Sequence, residues 1–377
     1  MKSAIPVVIQ PATKEYFWAN AVIEGIKTAA ARYSCEWQII DPTVDDDLDA
    51  FKGLPVIISG HSSVWLLNTA DLLSSKGLIP IITNASIPSI PKSRYSGVCF
   101  DLKSGMEETV DCCTENGKKV IALLGVRKNS AADKDKISCF CEIMARKGLS
   151  DAHVYYFDDS TETALEGFVS GISGYGIDAV ICANDTVGFF LLEKLKEKGI
   201  DVPREVFVLG MGGFAINSIL EKPLTSLSFD YAELGLQAVR LWRYFLKDGG
   251  DVNITVSVSC KLIHRSTSVN LKKTTEPILN PPTKSPDELA GSFFEEKRVN
   301  TFLKLEAMLC EFDEIDYKLL EYISNGISDD VTAEAIGLTS RAIRYRVSKM
   351  LKKMGVKTRN ALIKTLKEYH IFVRDDK

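Results

Sequence analysis

The residues with the most readable chemistry lie near the C-terminus. Between Leu338 and Glu368 there are ten lysines and arginines and a single acid, Glu368, a local excess of nine positive charges in a chain whose net charge is −4. The stretch Ser340–Met354 places Ile343, Val347, Met350, Leu351 and Met354 at helical spacing, so one side can face a core. The other side carries Arg341, Arg344, Tyr345, Arg346, Lys349, Lys352 and Lys353, with Arg359 beyond it. A solvated helix face ordinarily intersperses acids among its bases. One without them suits a polyanion, and Arg can also read base edges in the major groove of duplex DNA. Thr339 is placed to cap this helix. Thr339, Ser340, Arg341, Arg344 and Tyr345 fall near the end that would enter the groove. Lys349, Lys352, Lys353 and Arg359 fall where phosphates would be met.

Catalytic and metal chemistry has little to build on. The nine cysteines contain no C-x-x-C pair, and only four histidines are present. The cysteines read as small apolar thiols of a reducing compartment. No H-E-x-x-H, Walker loop or strand-to-helix G-x-G-x-x-G occurs, and the glycine-rich run Gly210–Gly213 leads into Phe214 rather than a phosphate-binding helix. Asp45-Asp46-Asp47 reads as a solvated helix start. No enzymatic activity, cofactor or metal is expected.

The elements that must position these groups follow from periodicity. From Ala4 to Thr267 short apolar runs alternate with amphipathic stretches, several of which end in Lys-Gly or Asn-Gly. The runs are continuously apolar, as in strands buried on both faces, and the alternation implies parallel sheets. There are too many strands for one mononucleotide-type half. The expected fold class is therefore α/β, with two Rossmann-like lobes, followed by an all-α domain. The sensing region spans 1–270, with one lobe at about 1–101 and 228–255 and the other at about 102–227 and 256–270. Residues 271–286, rich in Pro, Thr and Lys, read as a linker. Residues 287–310 read as a connecting helix and a candidate dimer interface, and 311–377 as a helix-turn-helix domain. The chain has 377 residues, 45% of them hydrophobic, but no run of the roughly 18–20 apolar residues that a membrane helix needs. The N-terminus is not patterned as a signal peptide, so a cytoplasmic location is expected.

Two resemblances add to this reading. Asn325-Gly326-Ile327-Ser328, Ile336-Gly337-Leu338-Thr339, Arg341–Arg346 and Lys352-Lys353-Met354-Gly355-Val356-Lys357-Thr358-Arg359 together resemble the LuxR/GerE-type helix-turn-helix. The region from about Ile5 to Ser268 resembles the effector domain of the LacI/GalR repressors, a periplasmic-binding-protein-like fold. Its best stretch runs from Ile181-Cys182-Ala183-Asn184-Asp185 through Val202-Pro203-Arg204-Glu205-Val206, Lys222–Leu227 and Glu233-Leu234-Gly235. That resemblance implies two lobes joined by three strands, with a small ligand in the crevice between them. It points to Tyr16, Phe17, Asp101, Lys136, Asn184 and Asp185 as ligand contacts. His61, at a strand end, is a further candidate. The order of domains is the reverse of that in LacI/GalR proteins. The combination implies a ligand-responsive transcription regulator that takes a sugar-like or other small polar metabolite, binds double-stranded DNA and acts as a homodimer. The alternative is a cytoplasmic sensor whose C-terminal bundle docks a protein.

Overall fold

The computed structural model describes residues 4–13, 17–44, 48–60, 62–83, 95–128, 130–149, 153–157, 161–249, 252–268 and 296–372. The expected linker, the first part of the connecting helix, Tyr16 and His61 lie outside the described residues, as does the side chain of Phe17.

The described residues form two six-stranded sheets. The first contains β1 (Ala4–Ile9), β2 (Glu36–Ile39), β3 (Pro55–Ser59), β4 (Ile79–Thr83), β5 (Ser96–Phe100) and β11 (Thr255–Val258), in the order β11-β5-β4-β3-β1-β2, with its neighbours parallel. The second contains β6 (Ile121–Val126), β7 (His153–Tyr156), β8 (Ala179–Cys182), β9 (Phe207–Gly212), β10 (Thr225–Ser228) and β12 (Lys261–Ile263), in the order β12-β10-β9-β8-β6-β7. Strands such as Pro55–Ser59 and Ala179–Cys182 are buried along their whole length, as their unbroken apolar sequence requires.

The helices are α1 (Phe17–Arg32), α2 (Ser63–Ser75), α3 (Leu102–Glu115), α4 (Ala131–Arg146), α5 (Thr161–Gly171), α6 (Asp185–Glu197) and α7 (Tyr231–Asp248). In the C-terminal region they are α8 (Lys297–Leu309), α9 (Glu314–Ser324), α10 (Asp329–Ile336), α11 (Ser340–Met354) and α12 (Arg359–Glu368). Their ends follow local chemistry. Asn184 accepts the Val187 amide at 2.9 Å and so caps α6, and Asp313 and Asp316 form a reciprocal capping box on α9. Against the first sheet, α7 buries Leu234, Ala238, Val239, Trp242 and Phe245 alongside Ile5, Val7 and Ile57. The α1–α7 approach is close enough that a Cβ at Gly235 would overlap the Val22 carbonyl oxygen, which explains the glycine in Glu233-Leu234-Gly235.

The chain divides into two compact units, one of 1–111, 126–156 and 227–262, the other of 112–125, 157–226 and 263–377. The sheets divide the chain differently, since β7 (His153–Tyr156) is counted with the first unit but pairs in the second sheet. The α3 and α4 helices meet through Lys103–Glu142 (2.5 Å), Arg146–Glu107 (2.6 Å) and Lys147–Asp111 (2.5 Å).

The helix expected at 287–310 is described from Lys297. That part, α8, buries Val299, Phe302, Leu303, Leu305, Met308 and Leu309 inside the second unit. Among the described residues no helix is long and apolar enough to cross a membrane.

Candidate ligand and nucleic-acid interfaces

In open parallel sheets ligands bind beyond the carboxyl ends of the strands. In the first unit β5 ends at Phe100 and is followed by Asp101. Asp101 is half-buried; its Oδ1 accepts the Ser104 amide at 3.2 Å and so starts α3. Phe100 is joined by Phe229 at 5.1 Å and by Tyr231, edge-on, at 5.1 Å, and Tyr231 lies 6.4 Å from Trp18. This aromatic cluster sits where a ligand with an apolar face would stack. Trp18, Phe100, Phe229 and Tyr231 were not singled out from the sequence. Their one visible signal was position, each directly after or near a strand or helix boundary.

Arg127 follows β6 and was likewise missed. Its Nε donates to Asp133 Oδ2 at 3.0 Å while Lys136 Nζ donates to Asp133 Oδ1 at 2.9 Å. Burial opposes ionisation of Asp133, but these two cations together hold its carboxyl below the usual range. Lys136 is thus committed to a buried ion pair and is only 16% exposed, so a ligand would have to meet it through Asp133.

Asp185 is held inside the second unit. Its side chain is fully buried, accepting the Ser226 hydroxyl at 2.6 Å and the Phe214 amide at 2.9 Å. A Cβ at Gly210 or Gly212 would collide with its carboxylate. The glycine-rich run therefore makes room for Asp185, which holds the following turn. Asn184, half-buried as the α6 cap, is the member of that pair nearer solvent.

The buried Glu306 and the half-buried Glu193 of the second unit are both shifted. Glu306, on α8, accepts the Ala215 and Ile216 amides at 2.8 and 2.9 Å, yet burial pushes its carboxyl up to about 7. Glu193 rises to about 7 as well, through burial opposed by Arg298 and reinforced by Glu197 and Glu368. Around Glu306 stand Asp185, Arg265, Cys310 and Tyr317; around Glu193 stand Arg298, Glu197, Glu368 and His370. A folded-state value above the unfolded one means that the native unit binds the extra protons. That stability is complete below the ordinary glutamate range and is lost as pH rises through about 7. Urea midpoints are therefore expected to fall between pH 5 and pH 8, by an amount on the order of 1–3 kcal/mol per carboxyl. Glu306→Gln should flatten that slope, and a midpoint that rises over this range would contradict the assignment.

In the C-terminal region α10 and α11 are joined by a tight turn at Gly337 (φ 76°), and Thr339 Oγ1 caps α11 through the Ala342 amide at 3.2 Å. Ile343, Val347, Met350 and Met354 are buried, as the spacing predicts. The basic face proves to be two populations. Arg346 Nη1 donates to Asp316 at 2.7 Å and to Asp313 at 2.9 Å, Lys353 pairs with Glu311, and Arg359 pairs with Asp329 and the Ile327 carbonyl. These three tie helices together and are engaged within the protein rather than standing free on the basic face. The acids that balance them come from outside the 338–368 stretch, which is why that stretch looked unbalanced. Ser340 donates to Asp330 at 2.7 Å. Arg341, Arg344, Lys349 and Lys352 stay exposed, and Tyr345 is 73% exposed.

Comparison with known proteins bears on the α/β part. Residues 110–268 match the sequence profile described as a periplasmic binding protein-like domain. This part of the chain is similar to domains of that type. The chain is 25% identical over 237 residues to the HTH-type transcriptional regulator GanR of Bacillus subtilis, covering 60% of this chain and 71% of GanR. It is 19% identical over 180 residues to catabolite control protein A of Staphylococcus aureus, where the match spans 45% of this chain and about half, 53%, of the relative. Among solved structures, the lac repressor dimer bound to operator and an anti-inducer aligns at a TM-score of 0.59 with 16% identity, covering 71% of this chain and 95% of the other. That likeness is one of fold: two parallel-sheet α/β lobes, which a helical region follows in this chain. The relatives named are transcriptional regulators rather than enzymes.

Proposed function

We propose that the chain is a cytoplasmic, ligand-responsive transcription regulator with its sensor first and a LuxR-type helix-turn-helix last. A small polar metabolite, sugar-like in class, is taken at the carboxyl end of the first sheet, where Asp101 and the Trp18–Phe100–Phe229–Tyr231 aromatics supply polar and apolar contacts. Its binding modulates duplex DNA binding by α11. The observation that carries this reading is the exposed set Arg341, Arg344, Tyr345, Lys349 and Lys352 on α11, beside three cations already neutralised by neighbouring helices. A face that merely needed solvation would use the same local acids throughout. The relatives' role as transcriptional regulators supports the class.

The test is fluorescence anisotropy on a mixed-sequence duplex across a salt series. If three or four of these cations meet phosphates, log K should fall against log salt with a slope of roughly −3 or steeper. A flat response would favour a protein-docking bundle instead. A homodimer is part of the reading, because paired half-sites require two-fold symmetry. Light scattering at micromolar concentration should give twice the chain mass, and a monomer that still binds DNA specifically would refute the pairing.

A further inference from the structure

The turn that follows β9 presents three consecutive amides to two buried carboxylates. Phe214 donates to Asp185 at 2.9 Å, and Ala215 and Ile216 donate to the two oxygens of Glu306 at 2.8 and 2.9 Å. Asp185 belongs to α6 of the effector domain, and Ser226 on β10 fixes it while accepting the Gly213 amide at 3.0 Å. Glu306 belongs to α8, against which the C-terminal helices are built.

The same segment is gripped again a few residues on. Leu220 and Ile371 form an antiparallel bridge, the Glu221 amide donates to the His370 carbonyl at 2.9 Å, and the Phe372 amide donates to the Ile219 carbonyl at 3.1 Å. Tyr369 closes the arrangement by donating to the Arg298 carbonyl at 2.9 Å. Burying two carboxylates within one turn is costly, and apolar side chains could fill the same volume more cheaply. What the carboxylates add is direction: they hold a strand-end turn at a fixed angle to α8.

We propose that the Gly213–Glu221 segment, clasped by Asp185 on the sensor side and by Glu306 and residues 370–372 on the reader side, is the element that transmits ligand occupancy at the end of β9 to the helix-turn-helix. This rests on the regulator reading above. A ligand seated at the carboxyl end of β9 bears on Gly212 and Gly213, and a shift there moves the three amides on which α8 is hung. The effector domain then acts on the reader through one turn rather than through the linker.

The test needs no ligand. Hydrogen exchange by mass spectrometry on the full chain compares wild type, Ser226→Ala and Glu306→Gln. Ser226→Ala alters only the sensor-side grip. It should speed exchange at 214–217 by about fivefold or more, and also in 297–309 and 340–354, while 121–125 in the same unit stays unchanged. Acceleration confined to 210–228 would overturn the proposal, as would uniform acceleration that includes 121–125. The double variant should show less than the product of the single effects, because both act on one turn; independent, multiplicative effects would also overturn it. Should Ser226→Ala fail to fold, Ser226→Cys gives the milder perturbation. Failure of the wild-type chain to bind any duplex would remove the regulator reading alone, and the exchange pattern would still decide whether the turn is a link.

Discussion

Replacing Phe302 with alanine is expected to cost the second unit about 3–5 kcal/mol, the usual range for emptying a fully buried aromatic site. Phe302 is 0% exposed and stacks on Phe189 of α6 with ring centroids 4.6 Å apart. Phe190 lies 6.2 Å away and Tyr369, just past α12, 6.3 Å; Phe189 and Tyr369 are themselves stacked at 5.7 Å. One side chain of α8 therefore joins α6 to the segment just after the last helix. Its removal leaves a cavity that cannot collapse without separating elements held elsewhere by Tyr369–Arg298 and Arg298–Glu193. Urea denaturation followed by tryptophan fluorescence and by far-ultraviolet circular dichroism should show a lower midpoint, with the C-terminal helices unfolding ahead of the sheets. A loss under about 1 kcal/mol would mean that α8 is peripheral and that the helical region stands apart from the effector domain.

That outcome bears on what could be read in the sequence. The central strands were legible because both faces are buried and no polar residue breaks them, as in Ile121–Val126, whereas the polar β10 (Thr225–Ser228) and the partly exposed β11 and β12 gave no such run. The helices of the last sixty residues were legible from caps and spacing, with Thr339 and Gly337 marking the ends of α10 and α11. The candidate sites were only half legible. Nothing local to Asp185 says that its partners are Ser226 and Phe214, many residues further on. Nor does the run from Arg341 to Arg359 disclose that Asp313, Asp316, Glu311 and Asp329 lie against it. A charged residue's role is set by what tertiary packing brings beside it, and periodicity carries no record of that. The apolar seam of α8 is of the same kind: its pattern states that the face is covered but not by what.

Separating the two populations of cations on α11 gives the sharpest functional expectation. Arg344 lies in the first turns, exposed and close to Tyr345, at the end that a helix-turn-helix inserts in the major groove. A guanidinium there can donate twice to a guanine edge, worth about 1–3 kcal/mol of discrimination. Arg344→Ala should therefore weaken binding to a selected operator by roughly tenfold to a hundredfold and leave binding to scrambled duplex nearly unchanged. Lys352, exposed a helical turn or two further on, is placed for a phosphate. Lys352→Ala should weaken both duplexes alike and reduce the salt slope by about 0.9. Arg346 separates a structural from a recognition role. Its guanidinium is spent on Asp313 and Asp316, and those acids hold it protonated more firmly still. Arg346→Ala should lower the melting temperature of the helical region, and any loss of DNA affinity should disappear when binding is measured well below that temperature. The three variants thus predict three distinct signatures from one set of salt titrations and one melting curve. Equal losses on operator and scrambled duplex for Arg344→Ala would place that residue on the phosphate backbone and shift the reading surface of α11 toward Arg341 and Tyr345. A large, temperature-independent loss for Arg346→Ala would show that its ion pairs open when DNA binds.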